Sequence, residues 1–527
     1  MLLPPEIDEL RTLVTSLTRR VAERYAAGSS HDDDDSIVTA TAAVLAVVHE
    51  ATSKLLCERN ARITINCLPT EILGRILREM QLDAGRTQVL VAPTRASLVC
   101  RRWRAVALAT PCLWSTLEHI KGRGICPVPV FKSLLQRSEA MSVLLPQYLS
   151  PEHIDAVSAQ MHRISRLQLP AEYWDDAPSS PTQRRAPQLQ FLAISGIARD
   201  CPPRAMFEGY APMLQTLVAG AEFLSPSSVY PALAGLTTAR IWAKDGRHFF
   251  ELCTSLFAQC KGLTTFIGHV PSHDYALPQQ PIVHNLQSLR LAGFLNDYLP
   301  LLKVLDHGRI RSISLFLEKR NLPPPDLSAV LTPLRSPITH LGIHCRGVSN
   351  DLLYIELSDS RGFVRTIEGI WATTISSFLS QHAHLAWSLE SLTVFGTFDS
   401  LPALGIPLDQ LKMLSIGIGI EYSHKLPHSM RLGDCQTLPV LRLTTTERYS
   451  FAVAAAKIVS VIRGVTTTEG DPVRISELCL NGITLPRYMD HDSSTHEGSM
   501  SALTASVDTI KFTDTPWKTL AIPILYM

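Results

Sequence analysis

A short aliphatic signature returns thirteen times between Ile164 and Phe512, and it limits what this chain can fold into more than any other feature. Its form is aliphatic-x-x-aliphatic-x-aliphatic. It stands at Ile164/Leu167/Leu169, Leu189/Leu192/Ile194, Leu214/Leu217/Ala219, Leu236/Ala239/Ile241 and Leu263/Phe266. It continues at Leu286/Leu289/Leu291, Ile310/Ile313/Leu315 and Ile338/Leu341/Ile343. It resumes at Leu389/Leu392/Val394, Leu411/Leu414/Ile416, Leu438/Leu441/Leu443, Ile475/Leu478/Leu480 and Val507/Ile510/Phe512. With 46% of residues apolar, a single occurrence arises readily by chance, so the spacing decides. Nine of the twelve steps between first positions are 22 to 28 residues long, and the others are 51, 37 and 32. The last two apolar positions of each unit alternate, which is the periodicity of a strand. A strand in every unit, followed by a return, predicts a parallel sheet. No unit buries its apolar side alone, so stacking must supply the core. Thirteen strands spaced about 4.8 Å apart would span roughly 60 Å. The step of 51 leaves room for a degraded unit near Val364 and Ile367.

The chain before this region reads as helix. Ile7, Leu10, Val14, Leu17 and Val21 alternate as a narrow helical seam. Gly28 to Asp35 interrupts it, and the aspartates there favour the start of a following helix. A second helical pattern runs from about Ile37 to Asn60, with Val44, Val47, Ala51 and Leu55 in line. The two predict an antiparallel hairpin packed within the chain. From Ile65 to Ser115 the patterning sharpens. Pro69 suits the first turn of a helix and Glu71 its positive end. Ile72, Leu73, Ile76, Leu77 and Met80 then share a face. A further helix is expected over about Thr94 to Ala109, with Ala96, Val99, Trp103 and Val106/Ala107 as its stripe, stopped by Pro111. Two short helices have no room between them for two tryptophans and so many aliphatics. Either they join a larger core, or part of this surface awaits another protein.

The sequence L-P-T-E-I-L…I-L, then L-V-C-R-R-W-R, then P-C-L-W-S, resembles the F-box in the form common among fungal F-box proteins. Leu77 stands where the family often carries Phe. The resemblance implies a three-helix module that docks on the small acidic Skp adaptor of Skp–cullin–F-box ubiquitin ligases. Carried over position by position, the contact set would be Leu68, Pro69, Ile72, Leu73, Ile76, Leu77, Val99, Cys100 and Trp103, with Trp114 beside them. Trp103 would be the anchor, since buried aromatics contribute about 2–4 kcal/mol each at interfaces. Eight arginines between Arg62 and Arg104, against Glu71, Glu79 and Asp83, form either a rim that speeds encounter with an acidic partner or simply the solvated side of the helices. The thirteen-fold signature resembles the irregular leucine-rich repeats that follow many F-boxes. It lacks the Asn or Cys that an ordered repeat places three positions after the last aliphatic; Ile197, Phe294, Glu318 and Thr397 are examples of what stands there instead. The implied organisation is α + α/β. A helical hairpin occupies residues 1–61, an F-box 62–116, and an irregular leucine-rich-repeat β/α solenoid 117–527.

Net charge near zero (+1) excludes a broad nucleic-acid footprint. Eleven cysteines are scattered with no C-x-x-C, which fits reduced thiols. The opening M-L-L-P-P-E-I-D-E-L lacks a basic flank, and the apolar run Ile37–Val48 is too short to span a bilayer. A soluble protein of the cytoplasm, the nucleus or both is expected, with no membrane partner. No catalytic constellation appears, and neither an enzyme activity nor a cofactor nor a metal is expected. Gly417-x-Gly419 is a lone pair of glycines. Pro427 breaks any helix between His424 and His428, and His382/His384 have no companion ligands at suitable spacing. His344-Cys345 ends a strand and reads as buried structure. The longer insertions, Ala171–Pro187, Pro271–Ile282, Asn321–Asp326 and Pro486–Ser501, are either slack loops or a shared binding edge. The expected function is a substrate-recognition adaptor. F-box and Skp adaptor would link it to cullin, and the repeats would hold an unknown target protein. The alternative is a scaffold that binds the Skp adaptor and a partner without ubiquitination.

Overall fold

The computed structural model describes residues 4–26, 34–83, 91–117, 127–139, 143–144, 149–170, 180–195, 206–270, 282–293, 295–317, 327–331, 334, 337–346, 352–371, 375–382, 387–395, 408–418, 430–432, 435–445, 451–453, 455–467, 469–481, 483–484 and 501–513. They form two compact units that divide between Gln168 and Leu169. Asp32, Asp33, Gly419, His384, His424 and His428 lie outside the described residues, as do the four insertions except for residues 180–187, 282 and 501.

The first unit begins with α1 (Pro4–Ala26) and α2 (Asp34–Ala61), which touch each other. The expected packing stripe on α2 differs. Val47 and Ala51 are exposed and Leu55 is half-buried. Apolar residues are spread around this Ala- and Val-rich helix, so periodicity does not define a single buried face. Val14 on α1 is exposed, and the side chains of Ile7, Leu10, Leu17 and Val21 lie outside the described residues. Three helices follow: α3 (Thr70–Asp83), α4 (Val91–Val99) and α5 (Arg101–Leu108). The single helix expected over Thr94–Ala109 is therefore two. Cys100 is extended (φ −159°, ψ 172°), and its Sγ accepts the backbone N–H of Trp103 at 3.5 Å, which caps α5 and breaks the helix there.

Residues 117–168 belong to this unit rather than to the sheet region that follows. The reason is burial by α6 (Val128–Arg137) and α7 (Pro151–Ser158). Phe131, Leu134 and Leu135 of α6 are buried, and the Phe131 ring meets His153 of α7 edge-on at 4.8 Å. The α6 helix also packs on the 3-10 turn Pro111–Trp114, and the Arg137 guanidinium sits 5.1 Å over the Trp114 ring. Strands β1 (Val143–Leu144) and β2 (Ile164–Pro170) pair in parallel.

The second unit is built on strands β3 (Phe191–Ser195), β4 (Thr216–Gly220), β5 (Thr238–Trp242), β6 (Thr265–His269), β7 (Ser288–Gly293) and β8 (Ser312–Leu317). It continues with β9 (Ile338–Arg346), β10 (Leu352–Asp359), β11 (Val364–Trp371), β12 (Trp387–Phe395) and β13 (Met413–Ile418). Then come β14 (Met430–Arg431), β15 (Thr437–Thr445), β16 (Phe451–Ala452), β17 (Val465–Thr466), β18 (Arg474–Asn481), β19 (Ile483–Thr484) and β20 (Val507–Thr513). The neighbours in the main sheet run β3-β4-β5-β6-β7-β8-β11-β10-β9-β12-β13-β15-β18-β20, while β14/β17 and β16/β19 form two side pairs. A strand lies at every one of the thirteen signature positions, including β2. The aliphatics stand directly opposite one another, as in Leu217–Ala239–Phe266–Leu289–Ile313 and Leu392–Leu414–Leu441–Leu478–Ile510. Helix α8 (Gly246–Gln259) covers this row: Phe249 and Phe257 lie 6.2 and 5.3 Å from the Phe266 ring.

The sheet departs from a uniform parallel stack at its middle. β9, β10 and β11 form an antiparallel meander inserted backwards, so β8 pairs with β11 and β9 with β12. The degraded unit expected near Val364 is β11, with Ile367 opposite Leu315. A tight turn makes the reversal: Asp359 Oδ1 accepts the backbone N–H of Arg361 and of Phe363 at 2.9 and 3.0 Å. The insertion places Arg365, wholly buried, opposite Ile313 in the aliphatic row. Its Nη1 donates to the carbonyls of Ile310, Arg311 and Val364, and burial pushes the guanidinium down to about 10, against the pull of Asp359. Gly369 is the extra residue of a bulge between β11 and β10, with φ +99°. His344 is half-buried beside Tyr354 (edge-on, 5.2 Å) and Phe395 (stacked, 5.8 Å).

Two outcomes follow from the meander. Gly369→Ala forces a side chain into left-handed backbone and puts its Cβ 2.4 Å from the Leu317 carbonyl oxygen. It should lower the second unit's stability by about 1–3 kcal/mol, read as a reduced urea midpoint. Burial, then the neighbouring His340, push the His344 imidazole from 6.5 down to about 4. The unfolded chain takes up that proton as pH falls below about 6.5 and the folded site refuses it until about 4. Stability should therefore drop through this window by up to about 3 kcal/mol, and His344→Gln should flatten the slope in urea titrations across pH.

Candidate functional site

Three short helices of the first unit divide their apolar residues between an inside and an outside. Leu73, Gly74, Leu77 and Gln81 form the buried stripe of α3. Ala96 of α4, Val106 and Ala107 of α5, and Leu113 and Trp114 of the following turn complete the interior. Polar groups inside are satisfied: Gln81 Nε2 donates to the Leu113 carbonyl at 2.9 Å and Trp114 Nε1 to that of Ala107 at 2.8 Å. The stripe beside it on α3 faces out. Ile72 and Met80 are 45% and 46% exposed and Ile76 is half-buried. Leu98 and Val99 at the end of α4 are 70% and 59% exposed, and Ile63 and Ile65 before α3 are 45% and 38% exposed.

The residues expected to contact a partner thus separate. Pro69, Ile72 and Val99 are exposed, while Leu68, Ile76, Cys100 and Trp103 are half-buried. Leu73, Leu77 and Trp114 are at most 2% exposed and form the module's own core, with Trp114 under α6. They support the outer stripe from beneath rather than present themselves to a partner.

Trp103 is held in a fixed pose. Its Nε1 donates to Asn66 Oδ1 at 2.6 Å, and Asn66 Nδ2 donates to the Asn60 carbonyl at the end of α2, also at 2.6 Å. Arg102 donates to the Leu68 carbonyl, and Arg104 Nε to that of Ser97 at 2.9 Å. Together these bonds tie α5, the segment 64–68 and the end of α2 into one support. Between them lies a cavity of about 220 Å³, lined by Cys57, Asn60, Ala61, Asn66, Cys100, Arg101 and Arg102. Arg62, Arg75, Arg78, Arg95, Arg101, Arg102 and Arg104 are all exposed; Arg86 lies outside the described residues. Sequence reasoning missed Asn66, Ile65 and Leu98. Asn66 carried a readable signal, a polar side chain inside the aliphatic I-N-C-L-P run, though periodicity gave it no partner.

No cluster of three or more His, Cys, Asp or Glu suited to a metal occurs among the described residues. His382 is buried against Phe378 at 4.8 Å. Cys57, Cys67, Cys100, Cys112, Cys253, Cys260, Cys435 and Cys479 are free thiols. No described helix is long and apolar enough to cross a membrane.

No curated protein matches the chain. Residues 65–119 match the family model described as F-box-like, which spans α3 to α5 and the Pro111–Trp114 turn. The helical module with the outward aliphatic stripe is an F-box-like domain, and this suggests a Skp-binding adaptor role.

Proposed function

We propose that the chain is a substrate-recognition adaptor of a Skp–cullin–F-box ubiquitin ligase. Its F-box-like domain docks on the Skp adaptor, and its second unit, an irregular leucine-rich-repeat β/α solenoid, holds a target protein in the cytoplasm or nucleus. The observation that carries the reading is the set of exposed aliphatics Ile65, Ile72 and Val99, with half-buried Ile76, outside a filled interior of Leu73, Leu77 and Trp114. A closed domain has no use for such a stripe, whereas a helical partner seals it. The contact set becomes Leu68, Pro69, Ile72, Ile76, Val99, Cys100 and Trp103, joined by Ile65 and Leu98. The seven exposed arginines around it favour an acidic partner and act mainly on the rate of encounter. The repeat assignment draws on the regular spacing and on helix α8, which packs against the aliphatic side of the sheet. The reading assigns no catalytic step to the chain.

Co-purification with the Skp adaptor tests the docking face. Ile72→Ala with Trp103→Ala should lose the adaptor, since interface aromatics contribute about 2–4 kcal/mol, while circular dichroism stays unchanged. Retained binding in that variant overturns the docking assignment. Leu73→Ala should also lose the adaptor, but by unfolding the domain at a cost of about 2–5 kcal/mol, visible as lost helicity. If cullin joins the wild-type complex and a bound protein gains ubiquitin on reconstitution, the chain is a ligase adaptor. Binding without ubiquitin transfer makes it a scaffold.

Asn66→Ala should weaken the adaptor complex about tenfold or more through Trp103, whose indole N–H would lose its acceptor. Titration of the purified domain pair checks this, and unchanged affinity would show that the indole needs no such support.

A further inference from the structure

We infer that the face of the second unit's sheet turned away from the aliphatic core, over β4 to β8, binds an acidic segment of a partner protein. This rests on the reading that the second unit holds a target.

The register of the strands carries the inference. On each of β4 to β8 the core residues alternate with residues that face the other way; these are half-exposed, except that Gly220 and Ala292 in the third row are buried. Five of these outward positions form one straight row of hydroxyls: Thr216, Thr238, Thr265, Ser288 and Ser312. The next row places Arg240 on β5 and Arg290 on β7, with Ile267 of β6 between them. The third holds Trp242, His269 and Phe316. No Asp or Glu occupies any of the three rows on these five strands. The backbone positions of the two arginines stand two strands apart, about 10 Å. Each is partly withdrawn from water, and Arg290 adds its like charge to the burial that already disfavours the Arg240 cation. A carboxylate set between them adds an attraction to both cations, because a charge-assisted pair is stronger where water is thin. The hydroxyl row offers donors for a second carboxylate or for a peptide carbonyl, and the aromatic row a flat surface for the rest of the segment.

The face changes sign at the meander. Glu368 on β11 takes up an outward position next to β8, and Glu356 on β10 one strand further along. Glu356 is already engaged: Tyr354 donates to its Oε2 at 3.0 Å, and His340 Nε2 is 3.9 Å from its other oxygen. An acidic segment is repelled there, which confines it to β4–β8. Two arginines beside aromatics on a chain of net charge +1 suit one or two carboxylates and give little hold on a phosphate backbone.

The test uses the full chain bound to the Skp adaptor and a fluorescein-labelled oligoglutamate peptide, followed by anisotropy. The expected result is binding of oligoglutamate but not of oligoglutamine, weakened by added salt and by about tenfold or more in Arg240→Ala/Arg290→Ala. Adaptor co-purification and circular dichroism of that variant report that it is folded. Equal binding of the two peptides, unchanged affinity in the variant, or preference for an oligouridine strand would overturn the inference. If the variant still holds the proteins cross-linked to the wild-type second unit, the acidic specificity fails and target holding stands. If the wild-type second unit cross-links to none, target holding itself fails.

Discussion

Three short helices have interior space for a single layer of side chains, and the first unit depends on how that layer is filled. Leu73, Leu77, Val106, Ala107, Leu113 and Trp114 occupy it, and α6 closes the far side over Trp114. Nothing remains inside for Ile72, Val99 or Leu98. These residues stay in water at a cost of about 1.5–3 kcal/mol each relative to full burial. The same limit fixes the role of Trp103. Its ring is half-covered, and its one polar atom is held by Asn66, which in turn is held by the last turn of α2. The hairpin helix α2 thereby reaches the docking face through two hydrogen bonds, although it lies outside the F-box-like segment.

The second unit separates a core face from an outward face by the period of the strand. One side of each strand carries the aliphatic ladder, which continues through the meander at Ile367, Ile355, Ile343 and Val394. The other side is free to vary. Over β4–β8 it is hydroxylic, cationic and aromatic; over β9 and β10 it is a closed set of Tyr354, Glu356 and His340. The reversed meander keeps the core row intact at the expense of one buried cation. Three backbone carbonyls accept from its Nη1, which offsets part of the cost of burying Arg365, while its Nε and Nη2 find no acceptor among the described residues.

Much of this was legible in the sequence, for a definite reason. Strand alternation and the step of about 25 residues are local, and each of the thirteen signatures coincides with a strand. The order of strands is not local. β9, β10 and β11 alternate as their neighbours do, and their backward pairing depends on reversals such as the tight turn at Asp359–Phe363 between β10 and β11. Helical spacing likewise found the stripes of α3 but left their assignment open. Leu73 and Ile72 are adjacent and equally apolar, yet one is core and the other surface, because that depends on where α5 and α6 pack. The break at Cys100 escaped notice because Cys is an uncommon cap and the apolar period runs straight through it.

The stripe of Ile72 and its neighbours is proposed to be covered by another protein rather than by this chain's own core. Hydrogen–deuterium exchange of the full chain, with and without the Skp adaptor, addresses this directly. The account requires slowed exchange in residues 64–83 and 91–108, with α6 and the sheet of the second unit unchanged. Exchange in those helices that is the same with and without the adaptor, while the two proteins remain bound, would contradict it.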